Sequence, residues 1–273
     1  MTGAPAATLT RDGAVARLTL ERPEARNALS RAMADALEDA LGRLAAADEA
    51  RVVVVAGRGR SFCAGADISE MPTLSPPEAE TLASRWQRIV DGFATLPQVT
   101  IAAVQGHALG GGLMLAIAQD LRVAEASARF GLPEVTLGFN PGYGIARLLD
   151  IAGGAHARDL MLTARSVDAS EAQRMGLVTR VVPDGTLDAA TTTLAHEVAR
   201  SPRGGLAATK AITAALRAGR PGTEAHAYGA LSADLDAALA NELRTQVTLL
   251  QTQDFMEGVM AFFQKRPPEF KGR

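Results

Sequence analysis

The chain has 273 residues, 47% of them hydrophobic, with a formal net charge of −2 and an isoelectric point near 6.1. That length suits one large domain, or one domain with a smaller appendage, and so balanced a charge sets up no long-range attraction to nucleic acid or anionic membrane. The single cysteine, Cys63, rules out an intrachain disulfide and any multi-cysteine metal site, and His107, His156, His196 and His226 lack ligand spacing, so no metal is expected.

No apolar run nears the roughly 18 residues of a membrane span, and the opening "MTGAPAATLTRDG" has no signal-peptide core, so the expected protein is soluble and cytoplasmic. "AVARLTL" (14–20) is the first predicted strand, followed by the loop "ERPEARNALS". Ser30 can cap a helix running to about Ala47, with Met33, Leu37, Leu41 and Leu44 on one face. "RVVVVAG" (51–57) is a continuous apolar run, as expected of a strand buried on both faces. A glycine-rich loop and a helix over about 77–96 come next. The unit then repeats, with "TIAAVQG" (100–106) as strand, "HALGGG" as loop and "LMLAIAQ" as helix. "LRVAE" (121–125) and "LVTRVVP" (177–183) are further strands. Strand–loop–helix repetition predicts parallel strands and an α/β class. After about residue 184 only helices are predicted, over 187–200, 204–216, 223–250 and 255–264. A helical tail of this kind suggests an oligomerisation or lid module, with a boundary near Ser201-Pro202.

Two loops, "GRGRSFCAGAD" (57–67) and "QGHALGGG" (105–112), leave buried strands and enter helices. In α/β folds such loops line the ligand crevice. Neither offers a convincing nucleophile, but both offer backbone N–H groups, near Gly65-Ala66 and near Gly111. Two donors converging on one oxygen would form an oxyanion hole. Tight turns required only for packing are the alternative. Other glycine motifs fail on their residues: Leu115 breaks a dinucleotide fingerprint, no GK[ST] is present, and Gly59-Arg60-Ser61-Phe62-Cys63 ends without the glycine of a nucleophile elbow. Glu134 stands in "ARFGLPEVTLGFNPGYG" among apolar residues. It is either a desolvated carboxylate with a raised pKa, suited to moving a carbon-bound proton, or a solvated first-turn glutamate.

Taken together, "RPEARNALS", "SFCAGADISEM", "IAAVQGHALGGG", "ARFGLPEVTLG", "NPGYG" and "EGVMAFFQKRPPEFKGR" resemble, in order and spacing, the crotonase (enoyl-CoA hydratase/isomerase) superfamily over almost the whole chain. The resemblance implies an α/β spiral of ββα repeats over residues 1–200 and a C-terminal helical domain over 201–273, assembling as a trimer or a dimer of trimers. It implies an acyl-CoA thioester whose carbonyl oxygen lies between the N–H groups of Ala66 and Gly111, with coenzyme A part of the substrate and no separate cofactor. Arg26, Ala64, Asp67 and Ile68 match positions along the CoA path, and Phe262 and Lys265 match C-terminal positions that reach adenosine or phosphate, often of a neighbouring subunit. Glu134 matches the second carboxylate of two-glutamate hydratases, but Met114 occupies the position of the first. A thioether accepts hydrogen bonds weakly and cannot act as a base. Gly142 matches a glycine that helps hold water, whereas Ile145 stands for an expected glycine and Arg147-Leu148 for a usual Gln-Arg pair.

These departures put a double-bond shift with Glu134 as sole acid/base first. Hydration, dehydration or another lyase reaction on a specialised substrate is the alternative, and a non-catalytic acyl-CoA-binding protein a third possibility. Met114 would then line the acyl pocket, and Tyr143 is either a donor to the acyl group or a structural tyrosine. His107 is expected to face away from the site. A family member that binds RNA uses a lysine-rich helix, and with only Lys210, Lys265 and Lys271 this chain has no basic run to match it.

Overall fold

The computed structural model describes residues 5–46, 50–71, 74–201, 203–218, 247 and 250–269. In chain order the elements are β1 (Ala7–Asp12), β2 (Val15–Leu20), α1 (Arg31–Ala45), β3 (Val52–Gly57), α2 (Pro76–Thr95), β4 (Val99–Val104), β5 (His107–Leu109) and α3 (Gly111–Ile117). They continue with β6 (Leu121–Glu125), β7 (Arg129–Gly131), a 3-10 turn (Glu134–Leu137), α4 (Ile145–Thr163), β8 (Ser166–Asp168), α5 (Ala169–Arg174), β9 (Arg180–Val182), α6 (Leu187–Ala199), α7 (Arg203–Ala218) and α8 (Gln253–Gln264).

The main sheet runs β1-β2-β3-β4-β6-β9, parallel from β2 onward, with β1 returning antiparallel on β2. Alternate residues of β3 serve two cores. Val53 and Val55 pack with α1, α2 and α3, while Val52 and Val54 pack with Leu187 and Leu194 of α6. This two-sided burial is why the valine run lacks polar alternation. The Ser30 side chain accepts a hydrogen bond from Met33 N–H, and Met33, Leu37 and Leu44 are buried along one side of α1. The helix predicted over 77–96 begins at Pro76, where Ser75 and Glu78 form a reciprocal capping box.

Three expectations change. "HALGGG" is not all loop: His107–Leu109 form β5 of a second sheet, β5-β7-β8, in which β5 pairs parallel to β7. The strand predicted over 177–183 is shorter, because only Arg180–Val182 pair with β6 while Leu177 and Val178 are buried outside the ladder. The expected parallel strands acquire one antiparallel edge in each sheet, β1 on β2 in the main sheet and β8 on β7 in the second.

At the C-terminal end, α7 and α8 cover the helices predicted over 204–216 and 255–264, whereas most of the helix predicted over 223–250 lies outside the described residues. Lys210 anchors α7 to the core. Its buried Nζ donates to the carbonyls of Phe93 (3.0 Å) and Gln98 (2.8 Å) and pairs with Asp120 (2.7 Å). Burial lowers the Lys210 pKa against the pull of Asp120, and satisfied donors make such burial tolerable. Helix α8 packs on the 3-10 turn and the residues just after it: Phe255 meets Phe139 edge to face at 5.4 Å, and a Cβ on Gly258 would lie 2.6 Å from Leu137 O. No described helix is long and apolar enough to cross a membrane.

Candidate active site

The first loop is fixed by Asn27. Its fully buried side chain donates from Nδ2 to the carbonyls of Arg58 (3.0 Å) and Ser61 (2.8 Å) and accepts Arg22 N–H at Oδ1 (2.9 Å). Asn27 adopts φ +57°, a left-handed geometry that asparagine tolerates better than most residues. Leu29 N–H then donates to Gly65 O (2.8 Å), and Leu29 O accepts Asp67 N–H (3.1 Å). Because these two bonds straddle Ala66, the Ala66 N–H is directed away from Leu29, and among the described residues it finds no acceptor.

The second loop is stitched to the first by Cys63, whose N–H donates to His107 O (3.0 Å) and whose carbonyl accepts Leu109 N–H (3.1 Å). Gly111, the first residue of α3, has no intrahelical acceptor for its N–H and finds none elsewhere among the described residues. Each glycine of the triplet has its own reason to lack a side chain. A Cβ on Gly110 would lie 2.7 Å from Glu134 Oε1, one on Gly111 2.3 Å from Tyr143 Oη, and one on Gly112 2.2 Å from Cys63 O. On Gly65 a Cβ would lie 3.5 Å from Gly111 N, so the two unpartnered donors belong to loops in direct contact. Close packing and free donors are therefore two consequences of one arrangement.

Glu134 opens the 3-10 turn and is 7% exposed, which excludes the solvated reading. Its Oε2 is buried without a partner. Burial raises its pKa to about 7, with its own backbone amide the opposing influence. Cys63, also buried, is pushed up to about 12 and stays a thiol at neutral pH. Met114 is buried with its Sδ beneath Gly144, where a Cβ would lie 2.7 Å away. Gly142 and Tyr143 are buried in the segment entering α4.

The remaining candidates lie apart from this cluster or are engaged elsewhere. Asp67 pairs with Arg22 (3.0 Å) and accepts the Ser69 hydroxyl (2.6 Å); burial would raise its pKa, but these partners hold it below the usual carboxylate range. Ala64 and Ile68 are half-buried, and exposed Arg26 supplies the carbonyl that accepts Ala64 N–H (3.0 Å). Phe262 and Lys265 are exposed at the C-terminal end of α8, Phe262 two turns beyond the buried Phe255 on the same face. His107 sits on β5 rather than in a loop, its Nδ1 3.3 Å from Ser61 Oγ. Arg147 pairs with Asp91 at 2.8 Å and ties α4 to α2. Among the described residues no group of three or more His, Cys, Asp or Glu could hold a metal. Sequence reasoning missed Asn27 and Arg22, and an asparagine before a helix cap was the available signal for the first.

Two N–H donors beside one desolvated carboxylate can stabilise an oxyanion while a proton moves at a neighbouring carbon. The family model described as "Enoyl-CoA hydratase/isomerase" matches residues 10–273. The sequence is 40% identical over 270 residues to the 2,3-dehydroadipyl-CoA hydratase of Escherichia coli, covering 97% of this chain and 98% of that protein. It is 34% identical over 268 residues to the short-chain-enoyl-CoA hydratase of Clostridium acetobutylicum, covering 97% of each. The fold superposes on the crystal structure of carnitinyl-CoA hydratase from Mycobacterium avium with a TM-score of 0.81 at 35% identity, covering 99% of this chain and 100% of that one.

Proposed function

The chain belongs to the enoyl-CoA hydratase/isomerase family and has the crotonase fold, and from that premise we propose that it adds water to, or removes it from, the 2,3-position of an acyl-CoA thioester. The observation that carries this reading is the pairing of two acceptor-free N–H groups, Ala66 and Gly111, with the unpartnered, buried Oε2 of Glu134. In the hydration direction the thioester oxygen accepts both N–H groups. Water attacks the β-carbon, and Glu134 takes a water proton. Negative charge accumulates on the thioester oxygen between the two donors, and Glu134 then delivers its proton to the α-carbon. Gly110 lets the carboxylate approach the oxyanion loop, which is what a one-carboxylate sequence requires.

Hydration is placed before the double-bond shift because the relatives reported above are named hydratases. The shift remains the second reading, favoured by the buried thioether of Met114 where a second proton-transfer group could stand. Incubation with crotonyl-CoA, a 3-enoyl-CoA and a set of 3-hydroxyacyl-CoAs, with products resolved by mass spectrometry, separates the two. Hydration and dehydration products are expected; a 3-enoyl to 2-enoyl shift without water addition would reverse the order.

Residues 201–273 are proposed as the oligomerisation module, Met114 as a wall of the acyl pocket, and Arg26, Ala64, Asp67, Ile68 and Gly142 as the CoA and water path. Helix α8 exposes Met256, Met260 and Phe263 on its outer side and Phe262 at its end, more apolar surface than one helix of a monomer ordinarily leaves in water. Phe262 and Lys265 would there meet CoA across a subunit boundary. Light scattering is expected to give a trimer or its dimer, and a monomeric mass would remove this assignment.

A further inference from the structure

Beside the Glu134 oxygen stands a second polar group with no partner in the fold. Tyr143 is 6% exposed, and its hydroxyl makes no hydrogen bond among the described residues. A buried phenol ordinarily finds an acceptor or donor. This one stands over the oxyanion loop, with its Oη 2.3 Å and its Cζ 3.4 Å from where a Cβ of Gly111 would be. The side chains crowding Gly111 are Tyr143 and Leu29, and only the tyrosine can hydrogen-bond. Burial, with Cys63 and Glu134 nearby, raises the phenol pKa, so the group remains a donor throughout the neutral range.

Position selects the acceptor. Tyr143 Oη stands on the Cβ side of Gly111, to one side of the line along which its N–H points, so it reaches past the oxygen that N–H receives toward the next part of the substrate. Along a 3-hydroxyacyl thioester the next oxygen is the one on the β-carbon. We infer that the Tyr143 hydroxyl is a catalytic hydrogen-bond donor to the β-oxygen, holding the incoming water in hydration and the departing hydroxyl in dehydration. This role rests on the water-addition reading above. In hydration the water oxygen bonds to the β-carbon while the 2,3-double bond opens. One water proton reaches the α-carbon through Glu134, and the other stays on the new hydroxyl. Tyr143 keeps its own proton. In the reverse direction Glu134 takes the α-proton and returns it to the leaving hydroxyl as water.

The test compares two reactions of the Tyr143→Phe variant. Hydration of crotonyl-CoA needs a held β-oxygen, whereas exchange of the α-protons of butyryl-CoA in D2O needs only Ala66, Gly111 and Glu134. Removing a hydroxyl that has no partner leaves the ring packing in place, so the melting temperature is expected to hold. Hydration kcat is expected to fall at least about tenfold while α-exchange stays within about twofold, a split that a purely structural residue would not produce. Hydration unchanged within twofold, or both reactions falling together, would overturn the role. A wild-type protein that exchanges α-protons but adds no water would overturn the water-addition reading and this role with it. Its surviving exchange would distinguish that result from loss of the enolate site.

Discussion

Replacing Glu134 by glutamine is expected to lower turnover by about 10²–10⁴-fold while CoA binding persists, because the amide keeps the shape of the side chain but cannot carry a proton. The wild-type pH profile follows from the same environment. With a pKa of about 7, Glu134 is mostly protonated in mild acid, so kcat/KM should climb with pH through neutrality and level off above it. That limb should be missing from any residual activity of the variant. Burial also links this carboxylate to stability. Its folded pKa lies above the ordinary value of 4.5, so its favourable contribution is complete below the unfolded pKa and is lost as pH rises through about 7. Ionised above that range, Glu134 destabilises the fold by something on the order of 3 kcal/mol. Glutamine never ionises, so the variant should melt higher than wild type by a margin larger at about pH 8 than at about pH 5. Unchanged turnover would remove Glu134 from the mechanism, and a melting difference independent of pH would show that its carboxyl is not desolvated.

What could be read from the sequence were features set by local pattern. The valine run of β3 announced a strand covered on both faces, Ser30 announced a helix start, and the two glycine loops announced backbone N–H groups, two of which the fold leaves without acceptors. What escaped depends on partners distant in sequence or on elements too short for periodicity. β5, β7 and β8 are three residues each, below the length at which alternation is visible. β1 is half-exposed and ends "TRD", so its alternation is weak. α4 was missed because Gly153, at φ +72°, breaks its helical period, and Gly154 follows. Whether Glu134 was wet or dry could not be decided locally, since the turn that carries it packs against α8 through Gly138, Phe139 and Gly258, more than a hundred residues apart at the extreme. Close packing and acceptor-free backbone N–H groups were likewise not exclusive alternatives. Gly110, Gly111 and Gly112 meet a carboxylate, a phenol and a carbonyl, and that crowding holds the donors in place.

The second large effect is expected at Gly65, which touches neither substrate nor proton. Its φ is +99°, outside the range an L side chain adopts readily, and a Cβ there would lie 2.8 Å from the backbone oxygen of Leu109. Backbone cannot rotate aside as a flexible side chain can, so Gly65→Ala must push the first glycine loop away from the second. Ala66 is the next residue, and the bonds from Leu29 to Gly65 O and Asp67 N–H that aim it would shift with the loop. Loss of one properly placed oxyanion donor costs about 10²–10³ in kcat. Both crotonyl-CoA hydration and α-proton exchange of butyryl-CoA should therefore fall by that factor together, unlike the split expected at Tyr143. Stability should drop by about 1–2 kcal/mol from the left-handed backbone alone. Gly42→Ala provides the contrast, since Gly42 lies within α1 with nothing within 4 Å of a Cβ. That change should stabilise the protein by about 0.5–1 kcal/mol and leave both reactions untouched. If Gly65→Ala lowered the melting temperature yet kept α-exchange at the wild-type rate, the convergence of Ala66 and Gly111 on one oxygen would be refuted, because no displacement of this loop could spare a donor held one residue away.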